Sequence, residues 1–306
     1  MKRRILGLLL LAALAAPAQL IKEVRAAIAA GDFPRGEKLI ADYRGARGVT
    51  PEMLEALSWL GRGALANAQW DRAYAFADET RGLALEMLKK RPLDAEPRLP
   101  IALGASIEVQ AHALAARNAR TEAVSFLETE LAAWRRTSIR TRIQKNIHVL
   151  SLEGKPAPAL DMNEHLGPRP TPLASLKGKV LLLFFWAHWC GDCKYQGPIL
   201  ARLQEEYGGR GLVLVGPTQR YGYAARGEPV PPAEEMQYIN SVRLNHYADL
   251  SSMPVPVSEE KFRNYGSSTS PTLVLVDRHG IVRMYHPGKM SYEELAPRVA
   301  ALVGGS

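Results

Sequence analysis

The sequence predicts two domains, an all-α domain built of helical hairpins followed by an α/β domain. Residues 19–150 are rich in Ala and Leu and poor in strand-like segments, which is the composition of packed helices. Residues 151–160 are rich in Pro and Gly, as expected at a domain boundary. The α/β domain is predicted for residues 151–306, where an unbroken apolar run at 180–186 leads directly into a helical pattern.

The chain begins with the pattern of a secretory signal peptide, which we assign to residues 1–18. Three basic residues at 2–4 precede an apolar core at 5–16, and Ala16-Pro17-Ala18 supplies small residues before a cleavage site near Gln19. The core is shorter than the ~20 residues that span a bilayer. We therefore expect a periplasmic or otherwise exported protein, with membrane contact only if this segment stays uncleaved.

The distribution of the basic residues gives little support to a nucleic-acid partner, although the net charge is positive. This charge is +8 for the whole chain and falls to +5 once the three basic residues of the signal segment are removed. The remaining basic residues are scattered and form no dense block of the kind that binds a phosphate backbone.

The all-α domain is expected to consist of seven helices, near 19–30, 34–45, 51–67, 71–90, 98–117, 120–136 and 138–150. Thr50 followed by Pro51 is a typical helix start. Leu60-Gly61, a turn and then Ala73 resemble a tetratricopeptide hairpin, although the repeat spacing is irregular. We expect a tetratricopeptide-like helical domain, which either stabilises the second domain or holds a partner on a concave surface.

The most informative stretch is Val180 to Pro198. Its apolar run predicts a buried strand, and a helical pattern follows to about Tyr207. Cys190 and Cys193, the only cysteines in the chain, lie where the strand meets the helix. Two cysteines three positions apart in this setting indicate a redox pair.

The position of each cysteine predicts its role. At the first turn of a helix, the sulfur of Cys190 faces unpaired backbone N–H groups and the positive end of the helix dipole, which favour the nucleophilic thiolate. Cys193 lies one turn further on and can break the mixed disulfide that Cys190 forms. A zinc site needs about four ligands and no second cysteine pair exists, so we expect no metal and no cofactor other than the Cys190–Cys193 disulfide itself. A static disulfide across two residues closes too short a loop to stabilise the fold much.

Several short motifs extend this pattern over roughly residues 152 to 305, about half of the chain. They are Gly154-Lys155-Pro156-Ala157-Pro158, Gly178-Lys179-Val180, Phe185-Trp186-Ala187, Trp189-Cys190-x-x-Cys193, Pro198, Tyr265-Gly266, Ser270-Pro271-Thr272 and Asp277-Arg278-His279-Gly280. Together they resemble exported thioredoxin-fold proteins of the TlpA/ResA type. The resemblance implies a central mixed sheet flanked by helices.

The thioredoxin order also implies where each element of the second domain lies. We expect a hairpin around 159–173, a long insertion at 217–257, and the following strands and helices: strands 179–186, 212–216, 272–277 and 281–286, and helices 191–207, 233–247, 258–265 and 291–303.

The resemblance further implies a substrate-binding surface beside the cysteines. Pro271 matches the cis-proline that faces the cysteine pair in this fold, and Ser270 would offer its backbone to an extended substrate and hydrogen-bond a thiolate. Trp189 is expected at the rim as an apolar wall.

Three further residues are expected to modulate the chemistry. A protonated His188 would favour the thiolate, but an exposed and uninvolved histidine is the preferred interpretation. Asp192 repels a neighbouring thiolate and should raise its pKa, which makes the couple more reducing. Gln196 stands where the resembling reductases often carry a glutamate, and Phe184 stands where thioredoxin carries a buried aspartate, so Cys193 lacks its usual base.

These observations predict an exported thiol–disulfide oxidoreductase that reduces protein disulfides. The resemblance implies substrates such as apocytochrome c or copper-site proteins. No third cysteine exists, so an external thiol reductant protein, in the membrane or periplasm, must recharge the pair.

A disulfide oxidase or isomerase remains an alternative, as does a helical adaptor with a vestigial redox domain. Leu183 and Ala187 replace the Pro and Thr of a peroxiredoxin pattern, which argues against a peroxidase. The histidines lack a metal-ligand spacing, which argues against a copper chaperone.

Overall fold

A computed structural model describes residues 17–160 and 163–304. Nearly all of the signal segment predicted at 1–18 lies outside these residues, so it stays a prediction. The chain divides into two compact units, one reaching to Arg117 and the other starting at Asn118. We call the described residues 17–117 the helical unit and the described residues from 118 to 304 the α/β unit.

The helical unit contains five α-helices within its described residues, and they confirm the predicted helices to within a few positions. They are α1 (Pro17–Ala29), α2 (Phe33–Arg47), α3 (Pro51–Ala66), α4 (Trp70–Leu88) and α5 (Arg98–Ala116). The hydroxyl of Thr50 accepts a hydrogen bond from the backbone N–H of Met53 at 3.2 Å, which caps α3 as predicted. Helix α1 packs against α2 and α3, and α3 packs against α4 and α5.

Small residues lie where these helices meet. A side chain at Gly61 would lie 3.6 Å from the carbonyl oxygen of Ala73, and one at Gly36 would meet Leu60 at 2.9 Å. The contact at Gly36 is closer than a side chain tolerates without a shift of Leu60, whereas the distance at Gly61 is an ordinary van der Waals contact. The tetratricopeptide likeness stays a prediction. Helix α5 is long and apolar enough to span a membrane by composition, but it is mostly buried inside the fold, as is typical of a core helix.

The α/β unit has a four-stranded mixed sheet flanked by helices, which confirms the predicted thioredoxin fold. The helices are α6 (Arg120–Trp134), α7 (Arg140–Ser151), α8 (Gly191–Tyr207), α9 (Pro232–His246), α10 (Glu259–Asn264) and α11 (Tyr292–Gly304). The strands are β1 (His165–Leu166), β2 (Val180–Phe185), β3 (Leu212–Val215), β4 (Val255–Pro256), β5 (Thr272–Val276) and β6 (Val282–Pro287). The sheet order is β3-β2-β5-β6, with β2 parallel to β3 and antiparallel to β5.

Strand β2 is buried on both faces, which is why its sequence is an unbroken apolar run. Val180, Leu182 and Phe184 point into one core with residues of α8, α9 and α11. The alternate residues at 181, 183 and 185 point into a second core that includes Phe262 of α10. Helices α10 and α11 therefore lie on opposite faces of the sheet.

The prediction of a hairpin around 159–173 is wrong, as far as the described residues of this segment show. Strand β1 pairs antiparallel with β4, with His165 opposite Pro256. The partner comes from the long insertion, about ninety residues away in the chain. A strand of two residues carries too little pattern to reveal such a distant partner.

The compact units divide at 117/118 rather than at the predicted 150/151 boundary. Helix α7 contacts α10 and β6, and Nε2 of its His148 donates a 2.8 Å hydrogen bond to the carbonyl oxygen of Asn264. Gly266, at φ +63°, leaves room for the α7 backbone, because a side chain there would lie 2.4 Å from the backbone nitrogen of Lys145. Helix α7 therefore packs with the sheet, and α6 packs against α7, although their composition resembles that of the preceding helices.

Candidate active site

The two cysteines lie at the junction of β2 and α8 and form a disulfide, with Cα atoms 5.2 Å apart. Cys190 is the N-cap of α8, and its Sγ accepts the backbone N–H of Cys193 at 3.0 Å. This is the position that favours thiolate once the pair is reduced. Cys190 is 3% exposed and Cys193 is 0% exposed, so the first sulfur lies nearer to the surface.

The predicted substrate-binding residues meet around Cys190. The Ser270–Pro271 peptide bond is cis. The carbonyl oxygen of Ser270 lies 3.4 Å from Sγ of Cys190. The next residue, Pro271, is buried. Trp189 is 50% exposed, which places it at the rim as expected.

His188 is not exposed, so the preferred interpretation of this residue is wrong. It is 1% exposed and is surrounded by the rings of Tyr221, Tyr223 and Tyr238, with centroid distances of 5.2 to 5.5 Å. Its Nε2 lies 3.4 Å from a carboxylate oxygen of Glu235. Burial lowers the pKa of His188, while the Glu235 carboxylate acts in the opposite direction. The ring is therefore mainly neutral at neutral pH, and it faces the tyrosines of the insertion.

Glu235, in helix α9 of the insertion, is a site residue that sequence reasoning missed. Its buried carboxylate accepts backbone N–H groups from Tyr221 and, at 2.9 Å, from Gly222. The Tyr221 ring packs against Trp189 at 5.6 Å between centroids. Burial raises the pKa of Tyr221, and hydrogen bonds with Gln219 and Ser270 act against that rise. Glu235 thereby fixes a loop that touches both Trp189 and Ser270, so the insertion forms one wall of the site.

Asp192 lies next to the cysteines in an exposed ion pair. Its carboxylate accepts a 2.7 Å hydrogen bond from Nζ of Lys289, a residue that sequence reasoning did not single out. This hydrogen bond, together with the carboxylate charge, raises the pKa of Lys289. The ammonium offsets part of the charge of Asp192, so its predicted repulsion of a thiolate is weakened.

Gln196 is fully buried on α8, one turn beyond Cys193. Its Oε1 accepts the backbone N–H of Met290 at 2.9 Å, and its Nε2 has no partner among the described residues. Phe184 is fully buried and packs edge-on against Tyr247 at 5.8 Å. Gln196 and Phe184, where the resembling proteins carry a carboxylate, are therefore neutral and fully buried side chains. Within residues 17–160 and 163–304, no group of three or more His, Cys, Asp or Glu side chains is arranged to hold a metal ion.

The fold and this site together define a class of protein. A mixed sheet of thioredoxin type presents a Cys-x-x-Cys disulfide at a helix N-terminus, beside a cis-proline. Its chemistry is exchange between this disulfide and the thiols or disulfides of another molecule. The protein is a thioredoxin-like thiol–disulfide oxidoreductase.

Comparisons with known proteins refine this assignment. Residues 152–302 match the family model described as Redoxin. The thiol:disulfide interchange protein DsbE of Pseudomonas aeruginosa is 29% identical over 152 residues, which cover 48% of this chain and 75% of that protein. The thiol-disulfide oxidoreductase ResA of Bacillus anthracis is 25% identical over 142 residues, which cover 46% of this chain and 73% of that protein.

A solved structure matches a similar share of this chain. The thiol:disulfide interchange protein of the thioredoxin family from Chlorobium tepidum is 22% identical, with a TM-score of 0.36, and the match covers 49% of this chain and 96% of that one.

Proposed function

We propose that the protein is an exported reductase of protein disulfides that uses Cys190 as nucleophile and Cys193 as resolving thiol. The observation that carries this proposal is the asymmetry of the pair. Cys190 Sγ lies 3.4 Å from the Ser270 carbonyl oxygen beside the exposed Trp189, whereas Cys193 is fully buried. An approaching disulfide meets Cys190 first.

The reaction proceeds in two exchanges. The Cys190 thiolate attacks one sulfur of the substrate disulfide, forms a mixed disulfide and releases the other substrate sulfur as a thiolate. Cys193 then loses its proton and attacks the Cys190 sulfur, which releases the second substrate thiolate. Two electrons have passed to the substrate, and the enzyme holds the Cys190–Cys193 disulfide. An external thiol reductant protein must reduce this disulfide again, because the chain has no further cysteine.

The charges around Cys190 support the reducing direction. Strong oxidants of this chemistry stabilise the reduced form of the pair, which requires a strongly stabilised thiolate. Here the start of α8 stabilises a thiolate, but the lowered pKa of His188 keeps that ring neutral. Lys289 is paired with Asp192. Export is supported by the signal pattern at 1–18.

The direct test is reduction of a generic protein disulfide by the purified, pre-reduced chain. Cys190→Ser should abolish reduction, and Cys193→Ser should accumulate a mixed disulfide that non-reducing electrophoresis detects. Full activity of Cys190→Ser would contradict the proposal. No reduction by the wild-type chain would favour the adaptor with a vestigial redox domain.

A further inference from the structure

A pocket of about 400 Å³ lies in the α/β unit, outside the cysteine site. It opens between the turn joining α6 to α7, helix α10, and the segment that leads to Ser270. Its lining includes Arg135, Arg136, Arg140, Arg263 and Ser267.

The pocket carries an excess of positive charge. Four arginines line it, against the single carboxylate of Glu259, which forms an ion pair with Arg263. Arg140 donates a 3.2 Å hydrogen bond to the neutral side chain of Asn264. Arg135 and Arg136 are exposed, and no ion pair joins either of them to another described residue.

A buried donor faces the same space. Ser267 is 6% exposed, and its hydroxyl has no hydrogen-bond partner among the described residues. A buried hydroxyl without a partner is costly and uncommon, unless a ligand completes it. The first residues of α7 also line the pocket, and no side chain caps this helix, so its positive end faces the same space. Guanidinium groups, a hydroxyl and a helix N-terminus together match an oxyanion.

The pocket lies close to the reacting sulfur. Ser267 precedes Ser270 by three residues, which separate their Cα atoms by at most ~11 Å. The Ser270 carbonyl oxygen is 3.4 Å from Cys190 Sγ. An extended peptide advances ~3.3 Å per residue, so about four to six residues reach from the sulfur to the pocket. Gln219 also lines the pocket and lies two residues before Tyr221, which forms part of the wall of the active site.

We propose that this pocket binds a carboxylate side chain of the substrate protein, about four to six residues from the cysteine that reacts with Cys190. The inference rests on the proposed function and adds a substrate class to it, namely disulfides flanked by acidic residues. The pocket then sets the register of the substrate along the Ser270–Pro271 segment.

Binding can be measured without any reaction. The probe is a fluorescent peptide with Ser in place of the reacting cysteine and Asp five residues away, compared with the same peptide carrying Asn. The oxidised wild-type chain should bind the Asp peptide about tenfold more tightly, and added salt should weaken this preference. Equal binding of both peptides would overturn the proposal. It would also be overturned if inorganic phosphate bound the pocket while the Asp peptide did not.

Variants locate the effect. Ser267→Ala removes a hydroxyl that has no partner, so the fold should be retained, as unfolding curves would verify, while the preference for Asp is lost. Arg135→Gln combined with Arg136→Gln should abolish the preference. Arg298→Gln is the matched control, because it removes a positive charge from α11 on the opposite face of the sheet. If Arg298→Gln weakened the preference for Asp equally, the preference would come from net charge, and the proposal that this pocket binds the carboxylate would be wrong.

A kinetic arm separates this inference from the proposed function. Disulfide peptides carrying Asp or Asn at the same position should differ in KM, while a small uncharged disulfide should be reduced equally by wild type and Ser267→Ala. Failure to reduce any disulfide contradicts the proposed function. If the Asp and Asn peptides are both reduced with the same KM, the proposed role of the pocket is contradicted and the proposed function is not.

Discussion

At the scale of single residues, Glu235 joins the insertion to the active-site loop. Its carboxylate accepts two backbone N–H groups and lies beside His188. Glu235→Gln replaces one acceptor oxygen by an amide that cannot accept, which leaves a buried donor unpaired. We expect the free energy of unfolding to fall by ~1–3 kcal/mol in urea titrations. The control is the exposed neighbour Glu234, because Glu234→Gln should change the free energy of unfolding by less than ~0.5 kcal/mol. Equal effects of the two substitutions would contradict this role.

Gln196 offers a second test, at the resolving thiol. A glutamate here keeps an oxygen for the Met290 N–H, and burial should raise the pKa of its carboxyl group. It lies three residues after Cys193 on the same helix face. Gln196→Glu should accelerate release of the mixed disulfide, by up to ~10²-fold, through general-base help.

The measurement is the rate of resolution of a preformed mixed disulfide on Cys190, from acidic to mildly alkaline pH. In the wild type this rate should be slow below neutral pH and rise with pH. Gln204→Glu adds the same charge farther along α8 and should have little effect. A wild-type rate that is already fast and independent of pH would contradict the lack of a base.

Two buried histidines predict how stability depends on pH. Burial is the main cause that lowers the pKa of both His148 and His188 from 6.5. Below pH 6.5 the unfolded chain therefore binds more protons than the folded one, so stability falls as the pH falls. Between pH 7.5 and 5.5 the loss is at most about 1.4 kcal/mol per histidine. Carboxyl groups with a lowered pKa, such as Asp277, titrate below this window. An equal free energy of unfolding at both pH values, measured in urea titrations, would contradict the prediction.

At the scale of elements, most of the fold follows from local pattern. The continuous apolar run of β2 predicts a strand buried on both faces, and Thr50-Pro51 predicts the start of α3, because neighbouring residues determine both features. The pairing of β1 with β4 and the burial of His188 could not be predicted in this way. Their partners, at 255–256 and 221–238, come from an insertion whose path the sequence pattern does not specify.

Helix α7 gives a test at this scale. Its Val149 packs against the core that contains Phe262, and His148 bonds to Asn264. A fragment of residues 118–306 should therefore unfold cooperatively. A fragment of residues 152–306 lacks α7 and should be less stable by ~3 kcal/mol or more, which is the scale of one or two large apolar side chains exposed to water. Urea unfolding of both fragments decides this, and equal stability would show that α7 is dispensable.

At the scale of the whole molecule, the chain combines a thiol–disulfide exchange site with a helical unit. The cysteines, the cis-proline and the tryptophan at the rim could all be located from sequence, because they fall in short contiguous motifs. Glu235, Lys289 and the arginine-lined pocket could not, because each depends on contacts between distant segments. The role of the helical unit in partner selection stays a prediction.

The reduction potential of the Cys190–Cys193 pair tests the central claim most directly. The α8 N-terminus is the main stabiliser of a Cys190 thiolate, His188 is neutral and Lys289 is paired, so the reduced form gains little extra stability. Equilibration with glutathione or with a dithiol of known potential should give a value near roughly −270 mV, as for thioredoxin. A value near roughly −120 mV, as for a strong oxidant, would contradict a reductase.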